Sequence, residues 1–266
     1  MKKVALALSS GGARGYAHIG VIETLEKYGF EIVSIAGSSM GAVVGGVYSA
    51  GKLNVYTQWV KSLQKVDVIK LLKLSFSKKG IFKEDKVMNF LKNLIGDVNI
   101  EDFKIRFTAV AVDIIKKKEV WIRKGSLYNA LKASTAIPGI FTPFIKDGMV
   151  LVDGGVLNPL PIAPVLNEQV DLIIAVDVNS EKPAHLSKTD SIISKEIDEN
   201  LNIINIMLQS VYLMQTKITK YQLANYSPDI LIEIPRDIGE VFDFHRAEEI
   251  IEYGKKISEE VLSKKF

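Results

Sequence analysis

The chain predicts an α/β fold built on a mostly parallel central sheet, in three layers. Short, continuously apolar runs at residues 3–8, 32–36 and 172–178 read as strands buried on both faces. The first two are each followed by a glycine-containing turn and then by apolar residues at helical spacing. Two successive strand-to-helix units imply parallel strands covered by helices, and they open their loops at the C-terminal edge of the sheet, where α/β proteins bind ligands.

Taken in order, residues 3–8 form the first strand and 9–15 a glycine-rich turn. Ala17, Val21, Ile22 and Leu25 then mark a helix over 16–28, with Gly29 at its end. The second strand leads through Ser39 into a helix reaching about Ala50 and Gly51. Residues 106–112 and 118–122 read as strands joined by a hairpin turn at 113–117. A helix is expected over 126–136, after which Pro138, Gly139 and Pro143 impose irregular backbone. Residues 149–152 form a strand ending at Asp153-Gly154-Gly155, and Pro159, Pro161 and Pro164 interrupt the next stretch of chain. A helix is expected to end near Glu168 and Gln169, before the strand at 172–178. Residues 181–190 make a polar connection, 198–221 a long helix, 230–234 a late strand and 247–264 a terminal helix. No repeat or linker divides the 266 residues, so one domain is expected over 1–266, with a more variable helical part from about 185.

Composition narrows the function classes. The chain has no cysteine, which excludes disulfides and thiolate metal sites. A net charge of +3 without a concentrated basic face argues against nucleic-acid binding. No secretory signal is visible at the start, because the apolar run at 4–8 is cut short by Ser9, Ser10 and two glycines. Residues 32–53 are weakly polar, yet their Gly and Ser density fits a buried strand and helix better than a membrane span. A cytoplasmic protein is expected. Residues 59–83 mix seven lysines with Trp59, Leu63, Ile69, Leu72, Phe76 and other apolar side chains. Such a segment suits an anionic lipid surface or a solvated helix face over an ordinary core.

The most informative motif is Gly37-Ser38-Ser39-Met40-Gly41, placed between an apolar strand and an apolar helix. A serine at the tip of a sharp strand-to-helix turn is exposed as a nucleophile, and glycines two residues away relieve collisions in the turn. A hydroxyl needs a base. The three histidines, His18, His185 and His245, occupy no comparable motif. Asp153 has a better setting, at a strand end before two glycines, where desolvation beside the serine raises its basicity. Asp113 and Asp177 stand at similar strand ends, and spacing alone does not rank the three. The loop Ser10-Gly11-Gly12-Ala13-Arg14-Gly15 precedes a helix and offers amides to a negative charge. Its glycine spacing is not that of a dinucleotide loop, and no Gly-Lys-Ser or Gly-Lys-Thr completes a P-loop.

Together these elements resemble the patatin-like phospholipase family, especially its short bacterial members related to neuropathy target esterase. The resemblance rests on residues 11–20 (Gly-Gly-Ala-Arg-Gly-Tyr-Ala-His-Ile-Gly), Gly37-Ser38-Ser39-Met40-Gly41, residues 132–138 (Lys-Ala-Ser-Thr-Ala-Ile-Pro), and Asp153-Gly154-Gly155 followed by Asn158-Pro159. It spans roughly residues 4–178, with a weaker echo over 242–254. It implies a three-layer α/β/α fold and hydrolysis of lipid acyl esters by a serine–aspartate dyad without histidine. Ser39 is then the nucleophile, Asp153 the base, and Gly11, Gly12, Arg14 and Gly15 the oxyanion loop. Ser10 stands where family members often carry a further glycine. Pro138 and Phe141 are expected to shape acyl access. No metal and no organic cofactor are implied. The partners implied are a lipid or other acyl ester and, peripherally, an anionic membrane surface. Two alternatives accompany this reading: a regulatory or scaffolding protein on the same fold, and self-association through the long late helix into a homo-oligomer.

Overall fold

The computed structural model describes residues 1–68, 86–96, 98–182 and 203–266. One eight-stranded sheet organises it, in the order β5-β6-β3-β2-β1-β7-β8, with β4 also paired to β3. The strands are β1 (Lys2–Leu8), β2 (Phe30–Ser38), β3 (Arg106–Asp113), β4 (Lys118–Ile122), β5 (Phe144–Lys146), β6 (Met149–Asp153), β7 (Leu172–Ser180) and β8 (Ile230–Pro235). The helices are α1 (Ala17–Lys27), α2 (Met40–Ser49), α3 (Leu53–Ser62), α4 (Lys86–Ile95), α5 (Leu127–Ser134), α6 (Ile203–Asn225) and α7 (Ala247–Leu262).

Strands β8, β7, β1, β2 and β3 run parallel, and β4, β5 and β6 close one end antiparallel. The side-chain alternation of β1 shows how the sheet is sandwiched. Val4, Leu6 and Leu8 enter the larger core, packed with residues of α1, α2, α5 and α7. Ala5 and Ala7 face the opposite side, where Leu160, Ile162 and Val165 pack and Leu223 of α6 joins them. Small alanines let this second, thinner layer approach the backbone of the central strands. Helices α1 and α7 also cross closely: a Cβ on Gly20 would stand 2.1 Å from Ile251 O.

The helix expected to end near Glu168 is not formed. A single 3₁₀ turn, Ala163–Val165, stands there, because Pro159, Pro161 and Pro164 lack the amide hydrogens a helix needs. The segment expected to be irregular after Pro138 contributes the short strand β5, which pairs with β6 at Phe144↔Leu151 and Ile145↔Val150. The late helix is described from Ile203 and continues to Asn225. Of the lysine-rich segment, residues 69–83 lie outside the described residues. In the part that is described, Val60, Leu63 and Val68 are buried, and Trp59 stacks on Phe90 with ring centroids 4.3 Å apart. There most of the apolar side chains serve the core, and Val66 alone of those described is exposed.

Sheet register is what assembles the site. β2 accompanies β3 only as far as Ser38↔Val110. Beyond that point β6 continues along β3, and Asp153 faces Ala111. The last residue of β2 and the last residue of β6 therefore end beside consecutive residues of one strand, although 114 positions separate Ser39 from Asp153.

Candidate active site

Ser39 sits between β2 and α2 with φ 52° and ψ −123°, a conformation costing an L-residue about 1–3 kcal/mol and held only by its surroundings. Those surroundings are tight. A Cβ on Gly37 would lie 2.4 Å from Ala42 N, and one on Gly41 would lie 2.3 Å from Leu8 O. The small residues are required because the turn folds onto itself and onto the end of β1. Ser134, at the end of α5, supports the turn: its hydroxyl accepts from Ser39 N at 3.0 Å and donates to Val110 O at 2.6 Å. Ser38 donates to Asn158 O at 2.6 Å.

Ser39 Oγ donates to Asp153 Oδ2 at 2.5 Å. The other carboxylate oxygen accepts from Gly155 N at 2.7 Å, which orients the group through the 3₁₀ turn that follows β6. Burial pushes the Asp153 carboxyl up to about 6, against the two hydrogen bonds that favour its charged form. A carboxylate so placed is a stronger base than an exposed one.

The alternative bases are placed elsewhere. His18 is fully buried and donates from Nε2 to Ser9 O at 2.9 Å; burial lowers it to about 4, so it stays neutral. It ties the glycine loop to α1. Asp113 caps the β3–β4 hairpin by accepting from Ile115 N and Lys116 N. Asp177 accepts from its neighbour Asn179 N at 3.0 Å. His245 lies in the turn Phe244–Arg246, and His185 falls outside the described residues.

The glycine loop closes over the end of β1. Ser10 N donates to Pro159 O and Ala13 N to Val241 O, each at 2.8 Å. Among the described residues, the amides of Gly11 and Gly12 between them find no acceptor, which leaves two donors for an incoming anion. Gly15 packs against Met40, at the start of α2. The Arg14 guanidinium is buried, donating to Gly239 O at 3.2 Å and Asn179 Oδ1 at 2.8 Å and lying over the Tyr212 ring. It braces the loop from beneath. A pocket of about 420 Å³ adjoins it, lined by Arg14, Asp177, Tyr212, Gln215, Glu233 and Arg236 among others. Pro138 is exposed and Phe141 half-buried in the segment after α5. No group of three or more His, Asp or Glu side chains among the described residues is arranged to hold a metal. No helix among them is long and apolar enough to cross a membrane.

Several contributors escape sequence reading. Ser134 lies within the motif at 132–138, but nothing in its spacing reveals that it touches Ser39. From α6, Gln215 donates to Gly155 O at 3.0 Å and Gln222 to Asn158 Oδ1 at 2.7 Å. Glutamines on a long polar-and-apolar helix carry no local signal of such a role.

A hydroxyl on a strained strand-to-helix turn, a buried carboxylate against it and two unpaired amides nearby make up the equipment of acyl-transfer chemistry. Residues 6–166 match the patatin-like phospholipases. An uncharacterized NTE family protein of Mycobacterium tuberculosis (strain ATCC 25618 / H37Rv) is 35% identical over 328 aligned positions, covering 98% of this chain and 91% of that protein. Lysophospholipase NTE1 of Debaryomyces hansenii is 26% identical over 284 positions, covering 99% of this chain and 18% of that one. Among solved structures, VipD from Legionella pneumophila aligns with a TM-score of 0.49 at 14% identity, covering 98% of this chain and 67% of that chain. The chain belongs to the patatin-like phospholipase family and is, by that membership, a lipid hydrolase.

Proposed function

We propose that the chain cleaves carboxylic ester bonds of phospholipids, lysophospholipids or acylglycerols through an acyl-enzyme on Ser39. The observation that carries this reading is the 2.5 Å contact between Ser39 Oγ and Asp153 Oδ2, made at a backbone conformation that presents the hydroxyl. As Ser39 attacks the ester carbonyl, Asp153 takes its proton. The carbonyl oxygen becomes anionic and is met by the Gly11 and Gly12 amides. Collapse expels the alcohol or lysolipid, which receives the proton from Asp153. A water then gives its proton to the same carboxylate and attacks the acyl-enzyme, and collapse releases a fatty acid as the proton passes from Asp153 back to Ser39 Oγ. Every protein group used belongs to the chain itself.

The pocket beside Arg14 carries charged groups of both signs, Arg14, Arg236, Asp177 and Glu233 among them, on a lining that is otherwise largely apolar, and the charged groups suit it to a polar headgroup. We assign acyl access to the side of Pro138 and Phe141. We assign these elements to one hydrolase domain over 1–266; the packing of α6 against the turn after Asp153 and of α7 against α1 and β8 supports that assignment.

The test combines active-site labelling with turnover. A fluorophosphonate is expected to label wild-type protein at Ser39 alone, and Ser39→Ala is expected to lose labelling and to lower ester turnover by at least ~10⁴-fold, as for loss of a catalytic nucleophile. A folded wild type that resists labelling and hydrolyses no ester across acyl lengths and headgroups would favour the scaffolding alternative.

A further inference from the structure

Helix α6 is turned inside out relative to an ordinary surface helix. Tyr212, Gln215, Thr219 and Gln222 point at the protein, where Gln215 and Gln222 bond to the segment after Asp153 and Thr219 is buried. The opposite side faces solvent. There Ile206, Met207, Leu213, Met214 and Tyr221 are each 49–69% exposed, and at about 100° per residue they fall within an arc of about 120°. Isolated exposed apolar residues need no explanation, but five large ones on one arc, with Ser210 and Lys217 set between them, mark an interaction surface.

We infer that this outward stripe of α6 seats the enzyme on an anionic lipid surface and so sets the catalytic cleft next to its substrate. The choice of a lipid occupant rests on the lipid-hydrolase reading above and on two features of the helix. Its charge is one-sided: across Ile203–Asn225 there is no Asp or Glu, only Lys217 and Lys220. Lys220, just outside the arc, pairs at the surface with Glu181, while the exposed Lys217 lies inside the apolar arc, the placement of a lysine reaching for headgroups. Position is the second feature. The stripe lies one helix diameter, about 10 Å, from the face that contacts Gly155 O, and Met207 comes within 3.8 Å of the Cβ position of Gly139, beside Pro138 on the expected acyl side.

The experiment uses the full chain. Flotation is run with the Ser39→Ala protein, which leaves the vesicles intact, against vesicles of phosphatidylglycerol and phosphatidylcholine and against phosphatidylcholine alone. The Ser39→Ala protein is expected to float with the anionic vesicles, to float less with the neutral ones, and to lose at least tenfold of its binding when Leu213→Glu and Met214→Glu are added. In the Ser39-intact background the same two substitutions are expected to leave turnover of a monomeric short-chain ester within about twofold and the melting temperature unchanged. Equal flotation with and without the two glutamates, or no flotation of the parent protein, overturns the proposal. A dimer by light scattering that the glutamates dissociate, without vesicle binding, would assign the stripe to a second copy. Failure of Ser39 labelling would remove the hydrolase reading while leaving the vesicle result to stand or fall by itself.

Discussion

Strands β6 and β7 each carry an aspartate toward the C-terminal edge of the sheet in nearly the same physical setting, yet the two make different contacts. Burial pushes Asp153 up to about 6, and Asp177 up to about 6 as well. Each accepts a hydrogen bond from an amide two residues on. Asp153 reaches Ser39 with its second oxygen. Asp177 instead has Glu233, whose negative charge raises it further, and Arg14, whose positive charge lowers it. A perturbed carboxylate at the C-terminal edge of an α/β sheet is thus no mark of catalysis by itself. Proximity to a nucleophile decides, and sheet register supplies that proximity on one side of the molecule only.

The sharpest way to break this comparison is to neutralise each carboxylate in turn. Asp153→Asn is expected to cut kcat on a soluble ester by ~10³–10⁴-fold, the scale of losing a general base. Asp177→Asn is expected to change it by less than about threefold, because the side chain makes no contact with Ser39 and sits away from the reacting atoms. Comparable losses in steady-state assays of both variants would mean that Asp177 takes part in the chemistry.

Ser134 tests how much of the advantage of Asp153 lies in its partner's backbone. Ser134→Ala removes the acceptor for Ser39 N and the donor to Val110 O, and a misplacement of the nucleophile by about 1 Å costs ~10²-fold. A fall of about 10–10² in kcat with little change in KM is expected, while Ser134→Thr, which keeps a hydroxyl, should recover part of it. A loss confined to the melting temperature would reduce Ser134 to packing.

Acidity sharpens the comparison further. With Asp153 as the proposed base, needed in its ionised form, kcat/KM is expected to fall about tenfold per pH unit below about 6, with the midpoint unmoved by Asp177→Asn. Stability should run the other way. A carboxyl raised in the folded state holds its proton more tightly there than in the unfolded chain, so the fold is weakened as pH climbs from about 4 through 6. For a rise from 3.8 to about 6 the burden at neutral pH is on the order of 3 kcal/mol. Asp153→Asn should therefore raise the melting temperature at pH 7.5 and lose that advantage at pH 4, as calorimetry across that range would show; equal effects at both pH values would mean that Asp153 is not held at the cost of stability.

Much of this architecture was legible before any coordinate. The runs at 3–8, 32–36, 106–112 and 172–178 are strands because apolar side chains on both faces of a short segment have no other low-energy arrangement in an α/β chain. The Ser39 turn was legible because glycines at 37 and 41 have a steric reason to be there. Where reading went astray, the signal was ambiguous or long-range. The segment near Glu168 carries apolar residues at helical spacing, but three prolines before it outweigh that pattern. Strand β5 is too short to announce itself, and it exists because β6 offers it an edge.

From residue order alone came the fold class, the sharp serine turn at Ser39, the glycine loop and a short list of strand-end aspartates, all of which follow from local sterics and from hydrophobic period. The list could not be reduced to one, because Asp113, Asp153 and Asp177 look alike within any window of neighbouring residues. The choice among them belongs to the tertiary structure. Ser38 faces Val110 and Asp153 faces Ala111, and hydrogen-bond register between strands far apart in the chain is settled by packing of the whole sheet. The same holds for Ser134, Gln215 and Gln222, whose roles arise only once α5 and α6 are laid against the end of that sheet.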